Sequence, residues 1–466
     1  MSSSKGFLKS GYRAAVIALW LLVLSQPLAP QEKTGEQAVD ENAIFDETET
    51  VTPRESVTDD AIARPIEKES LVLTGFLNSR TAYYMSRDWL YHENGGYGDN
   101  TLLPYFQGNF SLDARLRKAI KGFVNVSANC YPTGTDTVHR VTLYDTRLNP
   151  LQGKAVYTET DYAAYRIEEM FVDVNFKRLV YLRMGKQVLK WGTGYLWTPT
   201  DLINVELKNL LDPSQVREGV YGARLHIPFG TSANFYSFVK MNDAKNLDEC
   251  SVAVKMEALV GITEFSFSAL FQGEKPFVYG ADFSSRLLTL DIHGECAVSY
   301  GEAQRRIDAA FSHAPRAYRR TGEWVPRASF GLGRGFEVLD VKDRLRIDAE
   351  VFYNGSGYRN HIFNRGEAVA GYFVQEGLYQ PNYYGIYYAG LFVSFARLFV
   401  QDLSLSLYYI ANISDESHAV AGIFTYDFEY NTSMTLMLAG FPGPHNREYT
   451  AMGSALAAEF MLKLLF

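Results

Sequence analysis

Residues 165–204 read YRIEEMFVDVNFKRLVYLRMGKQVLKWGTGYLWTPTDLIN, and the pattern in this stretch decides the fold. In its first half Ile167, Glu169, Phe171, Asp173 and Asn175 fall on one face, with Arg166, Glu168, Met170, Val172, Val174 and Phe176 on the other. That is the two-residue period of a β-strand. After a short basic turn the chain returns through Tyr181, Arg183, Gly185 and Gln187 on one face and Leu182, Met184 and Val188 on the other, then opens into a loop at Trp191-Gly192. The hairpin is charged on one side and apolar on the other. In a soluble sandwich the charged side would meet water, whereas in a membrane barrel the apolar side meets lipid and the charged side lines a lumen.

The rest of the chain chooses between these settings. From Leu71 onward the same theme recurs in eighteen segments, near 71–85, 104–117, 122–131, 163–177, 180–191, 219–228, 232–241, 249–260, 262–272, 277–286, 288–300, 327–339, 343–354, 384–397, 399–412, 418–430, 433–442 and 454–466. In the ninth, Phe265, Phe267, Ala269 and Phe271 oppose Glu264, Ser266 and Ser268; in the thirteenth, Leu345, Ile347, Ala349 and Val351 oppose Arg344, Arg346, Asp348 and Glu350. Joins after odd segments are mostly long (86–103, 132–162, 192–218, 301–326, 355–383), and joins after even segments are short (118–121, 178–179, 229–231, 340–342). A sandwich has no reason to sort its loops this way, but an outer-membrane barrel has short periplasmic turns and long extracellular loops. The expected fold is all-β: a transmembrane antiparallel up-and-down barrel of about 18 strands, with 16 as the alternative.

Composition agrees. Tyr 31 and Phe 30 supply aromatics for interfacial girdles. Residues 1–29, with Lys5, Lys9 and Arg13 before the apolar run 14–24, have the form of a signal peptide, the run being too short to span a bilayer. Residues 30–70 carry twelve acids against four bases and one aromatic, Phe45, and form an acidic, disordered periplasmic lead. Residues 71–466, the barrel, are close to neutral, which gives no support to a nucleic-acid partner. Cys130, Cys250 and Cys296 show neither a metal spacing nor a disulfide framework, and no cofactor is expected.

The last segment places Leu456, Ala458, Phe460, Leu462, Leu464 and the terminal Phe466 on one face. It resembles the terminal strand of bacterial outer-membrane proteins, which implies recognition of Phe460, Leu462, Leu464 and Phe466 by the barrel-assembly machinery. Glu169-Met170-Phe171-Val172-Asp173, then Arg183-Met184-Gly185-Lys186-Gln187 and Trp191-Gly192, resemble the E-x-aromatic-x-D and R-x-G-[RK]-Q-x-x-x-W-G hairpin of porin-like outer-membrane barrels. The resemblance implies a Gram-negative outer-membrane location, with lipid, lipopolysaccharide and small solutes as partners and an oligomer as a possibility.

Three groups of residues are candidates for function. A turn centred on Arg178 would pair Asp173 with Arg183 and Glu169 with Gln187 as a brace of the lumen wall, with Gly185 leaving room for an incoming group. Loop 192–218 follows Trp191 and carries Tyr195, Trp197, Asp201, Asn204, Glu206, Lys208 and Arg217; folded inward, it would narrow a channel. Loop 301–326 holds Arg305, Arg306, Arg316, Arg319 and Arg320, a cluster suited to anionic solutes or lipopolysaccharide phosphates, diluted by Glu302, Asp308 and Glu323. Loop 355–383, with Tyr358, Tyr372, Phe373 and Tyr379, would cover the mouth.

Catalysis is not expected. There is no HExxH, GxSxG or Walker loop, and Asp291, His293 and Glu295 on one strand face form a luminal charge ladder without a nucleophile. The lumen mixes Arg115, Arg183, Arg224, Arg286, Arg344 and Arg346 with Asp113, Glu169, Asp173, Glu257, Asp282, Asp348, Glu350 and Asp402, so weak ion selectivity follows. The function expected is passage of small solutes. The alternatives are a scaffold for surface polysaccharide or envelope assembly, and a transporter of hydrophobic compounds with a lateral opening.

Overall fold

The computed structural model describes residues 71–86, 100–117, 119–144, 150–177, 179–189, 191–203, 217–242, 244, 250–272, 276–308, 316–359, 361–365, 367–428, 431–451 and 454–466. The expected signal peptide and acidic lead lie outside these residues, as do Asn204, Glu206 and Lys208 of the candidate constriction loop.

The strands in chain order are β1 (Leu71–Ser86), β2 (Thr101–Arg117), β3 (Ile120–Tyr144), β4 (Pro150–Phe176), β5 (Val180–Gln187), β6 (Val220–Phe229), β7 (Ala233–Lys240), β8 (Ser251–Val260), β9 (Thr263–Gln272), β10 (Val278–Leu287), β11 (Leu290–Tyr300), β12 (Arg306–Asp308), β13 (Arg316–Tyr318), β14 (Trp324–Val338), β15 (Val341–Asn354), β16 (Tyr387–Phe395), β17 (Leu403–Asn412), β18 (Ser417–Phe428), β19 (Thr432–Gly440) and β20 (Ser454–Leu465). β12 and β13 form a separate two-stranded sheet, and the other 18 pair antiparallel in chain order. β20 returns to β1 with Phe76 opposite Leu465, while Gly75 and Phe466 exchange backbone bonds of 2.9 and 3.0 Å. The ring is closed, so no strand edge of the wall is left to face lipid.

The alternation of burial runs opposite to that of a water-soluble protein. Outward positions such as Phe106, Met170, Val172, Met184, Phe267, Val351 and Phe460 are apolar and exposed, while inward Asn78, Arg80, Arg183, Lys255, Asp282, Glu295, Asp348 and Glu350 are buried. Exposed apolar side chains in a continuous band need lipid. At the long-loop end the band finishes in exposed Tyr84, Tyr165, Tyr221, Tyr279, Tyr300, Trp324 and Tyr387, an aromatic girdle.

Every expected segment contains a strand, and three local features differ from expectation. β3 and β4 continue past the barrel as one long hairpin, pairing Thr135 with Asp161 and Tyr144 with Pro150, where a loop over 132–162 was expected. The β-branched and aromatic residues of 135–144 favour strand by intrinsic preference. β17 begins at Leu403, which leaves Asp402 in the preceding turn rather than on the lumen wall. Within β4 the register against β3 shifts between Ile167 and Glu169, a β-bulge. The bulge reverses the faces expected for the first residues of the hairpin: Ile167 points outward at 37% exposure, and Glu168 is buried.

Gly185 holds φ at 130°, and a Cβ there would stand 2.2 Å from the Met170 carbonyl oxygen. Its requirement is therefore backbone conformation rather than room for an incoming group. Gly185→Ala is expected to lose about 1–3 kcal/mol of barrel stability, read as a lower urea midpoint of the refolded protein; an unchanged midpoint would show that the β4–β5 ladder relaxes freely.

Candidate functional site

The site begins at the hairpin of β4 and β5. Asp173 lies opposite Arg183 and accepts two bonds from its guanidinium, at 2.6 and 2.9 Å. The same guanidinium covers the Phe171 ring at 3.8 Å. Glu169 accepts from the Val188 amide at 2.8 Å. Gln187 is fully buried, and its side-chain amide has no hydrogen-bond partner among the described residues. Lys186 faces away from these groups and bonds Glu218 at 2.6 Å and the Ile167 carbonyl at 2.8 Å. Both ends of loop 192–218 are thus fastened to the hairpin.

From Trp191 the loop crosses the inside of the ring. Trp191 and Ile203 pack with Phe238, Ala253, Leu270 and Val278 on the wall of β7 to β10. Further on, Leu196 and Trp197 pack with Phe352, Tyr388, Ile410 and Ala419, on strands halfway round the circuit from β5. Trp197 is fully buried and stacks on Phe352 with centroids 5.5 Å apart. Asp201 pairs with Arg217 at 3.1 Å.

Two inward carboxylates receive the loop backbone. Glu295 of β11 accepts from the amides of Thr193 and Gly194, from the Thr200 amide at 3.0 Å and from the Thr200 hydroxyl at 2.7 Å. Glu350 of β15 accepts from the amides of Tyr195, Leu196 and Trp197 at 2.9, 3.0 and 2.8 Å, and lies 3.2 Å from His293 Nε2. Gly192, at φ 92°, is required by this arrangement, because a Cβ there would stand 2.6 Å from Glu295 Oε1. Of the expected ladder, His293 and Glu295 touch Glu350 and the loop respectively, while Asp291 pairs with Arg286 at 2.6 Å and Arg346 at 3.1 Å.

Above the loop sits a cap. Ile307 from the β12–β13 hairpin packs with Ile362 and Phe363 of a short 3₁₀ turn, with Val369 and Phe373 of helix α1 (Glu367–Gln375), and with Leu378 and Tyr384. The arginines of loop 301–326 serve this cap. Arg306 reaches the Ser356 and Gly357 carbonyls and Glu302, and covers the Tyr358 ring at 4.4 Å. Arg320 lies 3.7 Å from both Glu302 and Glu323, and Arg305 lies 3.5 Å from Glu376. Arg319 is exposed, and Arg316 stands in β13 opposite Asp308, its side chain outside the described residues.

A third carboxylate, Glu448, has no signal in the sequence beyond lying in a Pro/Gly-rich loop. It is fully buried and accepts from the Asn382 amide at 2.8 Å, the Tyr388 hydroxyl at 2.7 Å and the Asn412 amide group at 2.8 Å. Asn382 in turn accepts the Trp197 indole N–H on its backbone carbonyl at 3.0 Å and the Tyr449 hydroxyl on its side chain at 2.6 Å. Loop, cap and the β19–β20 connection therefore meet at one residue.

Glu350→Gln removes the negative charge that three amides bond and replaces one of its two acceptor oxygens by an NH2 donor. Since a bond to a charged acceptor contributes about 1.5–3 kcal/mol, the exchange protection of Tyr195, Leu196 and Trp197 is expected to fall about ten- to a hundredfold; unchanged protection would mean that apolar packing alone holds the loop. Burial pushes the Glu448 carboxyl up to about 8, against the pull of its hydrogen-bond donors. The docked carboxyl then keeps a proton that the undocked one, near its ordinary 4.5, releases. Docking of loop 441–453 is firmest below the ordinary value and weakens as pH rises toward 8. Proteolysis in that loop, normalised to the unfolded chain at each pH, should be faster at alkaline than at acidic pH. In Glu448→Gln the difference should vanish, and equal cleavage of the parent at both extremes contradicts the assignment.

No protein-family model matches the chain, and no curated protein matches it. Among solved structures it is similar to OccAB1 of Acinetobacter baumannii, with 10% identity and a TM-score of 0.52 over 88% of this chain and 99% of that one. It is also similar to OccK8 (OprE) of Pseudomonas aeruginosa, with 7% identity and a TM-score of 0.51 over 85% and 98%. OccAB3 of Acinetobacter baumannii gives 9% identity and a TM-score of 0.50 over 85% and 99%. At these identities the likeness is one of fold, and the fold is that of a porin-like barrel.

Proposed function

We propose that the protein is an outer-membrane channel for small polar solutes, narrowed by the loop that starts at Trp191-Gly192. The observation that carries this reading is the charged inner face of the closed ring. Asp173 with Arg183, Lys255 with Glu257, and Asp291 with Arg346 face inward as pairs, and 27% of the Asp173 side chain and 28% of that of Asp291 stay accessible. A wall with both signs of charge suits weakly selective passage, and the crossing loop, held by Glu295 and Glu350, sets the width.

On the same reading the Asp173–Arg183 pair braces the wall, with Glu169 holding the Val188 amide beside it and Gln187 buried against it, and Phe460, Leu462, Leu464 and Phe466 are the residues presented to the barrel-assembly machinery. Lipid and lipopolysaccharide surround the outer face. Arg305, Arg306 and Arg320 act within the cap, since carboxylates and carbonyls already hold them.

Refolded protein in a planar bilayer is expected to give a steady open-channel current, and deletion of 196–212 to raise single-channel conductance about twofold or more. Absence of current from the parent at every voltage sinks the channel, whereas an unchanged conductance in the deletion sinks only the constriction.

A further inference from the structure

At the short-turn end of the barrel five turns are apolar to their tips, while Gly230, Thr231 and Ser232 between β6 and β7 are exposed and small or polar. Leu179 between β4 and β5, Ile262 between β8 and β9, Leu288 between β10 and β11, Leu339 between β14 and β15, and Phe399 between β16 and β17 are 66, 70, 91, 78 and 86% exposed. Turns ordinarily carry Gly, Asn, Asp or Ser. At two of these positions the choice is unfavourable twice over: Leu288 and Leu339 hold φ at 58° and 52°, a left-handed conformation that glycine or asparagine adopts at less cost. Leucine in that conformation with its side chain in water has nothing to offset either cost. In hydrocarbon the same side chain is stabilised by transfer from water.

The tips continue the lipid-facing band. Phe176, Phe229, Val260, Leu287 and Phe428, at the ends of the strands that lead into the short turns, are exposed too. The five tips are spread round the circuit, so a single docked protein would cover one arc of them, while a lipid leaflet meets them all. At the opposite end the band stops at tyrosines and Trp324; among the described residues no exposed tyrosine or tryptophan stands at the short-turn end. From Tyr279 to Leu288, along a strand tilted as barrel strands are, the rise is about 23 Å, close to the roughly 25 Å apolar band of such barrels. With the tyrosines at one interface, the tips reach the other. Exposed Lys177, Lys342 and Arg397 flank them together with exposed Asp340, Asp343 and Asp402, a mixed-charge rim of the kind that sits among headgroups.

We propose that the short turns are a lipid-docking surface: the acyl-chain boundary of the adjoining leaflet covers Leu179, Ile262, Leu288, Leu339 and Phe399, and the barrel sits with its turns submerged rather than projecting into the aqueous compartment. This rests on the barrel spanning a bilayer and not on its conducting.

The test uses the full chain, with Cys130, Cys250 and Cys296 replaced by serine, refolded into phosphatidylcholine vesicles. Leu288→Cys, Leu339→Cys and Phe399→Cys each carry an environment-sensitive fluorophore, with Asn446→Cys in a long connection as the aqueous reference. A lipid bearing a doxyl group on its acyl chain is expected to quench the three turn labels several-fold more than the reference label, and iodide to quench them several-fold less. Iodide quenching equal to that at 446, with no quenching by the doxyl lipid, overturns the proposal and leaves the turns to water or to a periplasmic protein. Protection of one tip but not the others also overturns it, because a leaflet cannot cover one arc alone. Phe399 is outside the left-handed region, so its variant remains decisive should the leucine variants not refold.

Discussion

A chain segment without regular structure can cross the inside of a barrel only if its backbone N–H groups find acceptors there. Glu295 and Glu350 meet that requirement, with four and three donors from loop 193–200 converging on them. The dependence runs both ways. A carboxylate buried without donors is strongly unfavourable, and amides buried without acceptors are as well, so each half of the arrangement is tolerable only with the other. From there the constraint passes outward. Trp197, fixed by Glu350 through its backbone, delivers its indole N–H to Asn382, and Asn382 is held by Glu448.

The loop is consequently gripped from two sides. Strands β15 to β18 present Phe352, Tyr388, Ile410 and Ala419 to Leu196 and Trp197, and strands β7 to β10 present Phe238, Ala253, Leu270 and Val278 to Trp191 and Ile203. Nearer the short turns, Arg183 is held by Asp173 and by the Phe171 ring. An exposed pair of this kind is worth about 0–1 kcal/mol. This one is partly buried, bidentate and stacked, which places it above that range. It stiffens the hairpin to which the loop is fastened.

The strands were legible in the sequence because a lipid-facing wall imposes an alternation that composition cannot hide, and the parity of loop lengths set their direction. Legibility failed where backbone geometry or distant contacts rule. The bulge at Ile167–Glu169 inverts a face without changing residue types. β14 is interrupted by glycines, which disfavour strand, yet Gly331 and Gly333 stand where a Cβ would meet His293 and Asp348, so the glycines make space for polar neighbours. Gly192-Thr193-Gly194 permits a sharp fold, but the partner that demands it lies a hundred residues downstream. Glu448 and Asn382 gave no sign at all, since their roles exist only once three loops have met.

The same facts change how lumen charge should be counted. Alternation assigns every inward Asp and Glu to the channel as though each faced solute. Glu295 and Glu350 do not, because their oxygens are occupied by loop amides, and Asp291 and Asp348 are engaged by Arg346. A carboxylate whose lone pairs are committed at short range presents little field to a passing ion. On the proposed channel reading, selectivity falls to the inward charges that the loop leaves uncommitted, and it follows from where the loop lies. The residues that place the loop and those that would meet a solute are then separate sets on one wall, and the first set determines which members of the second remain available.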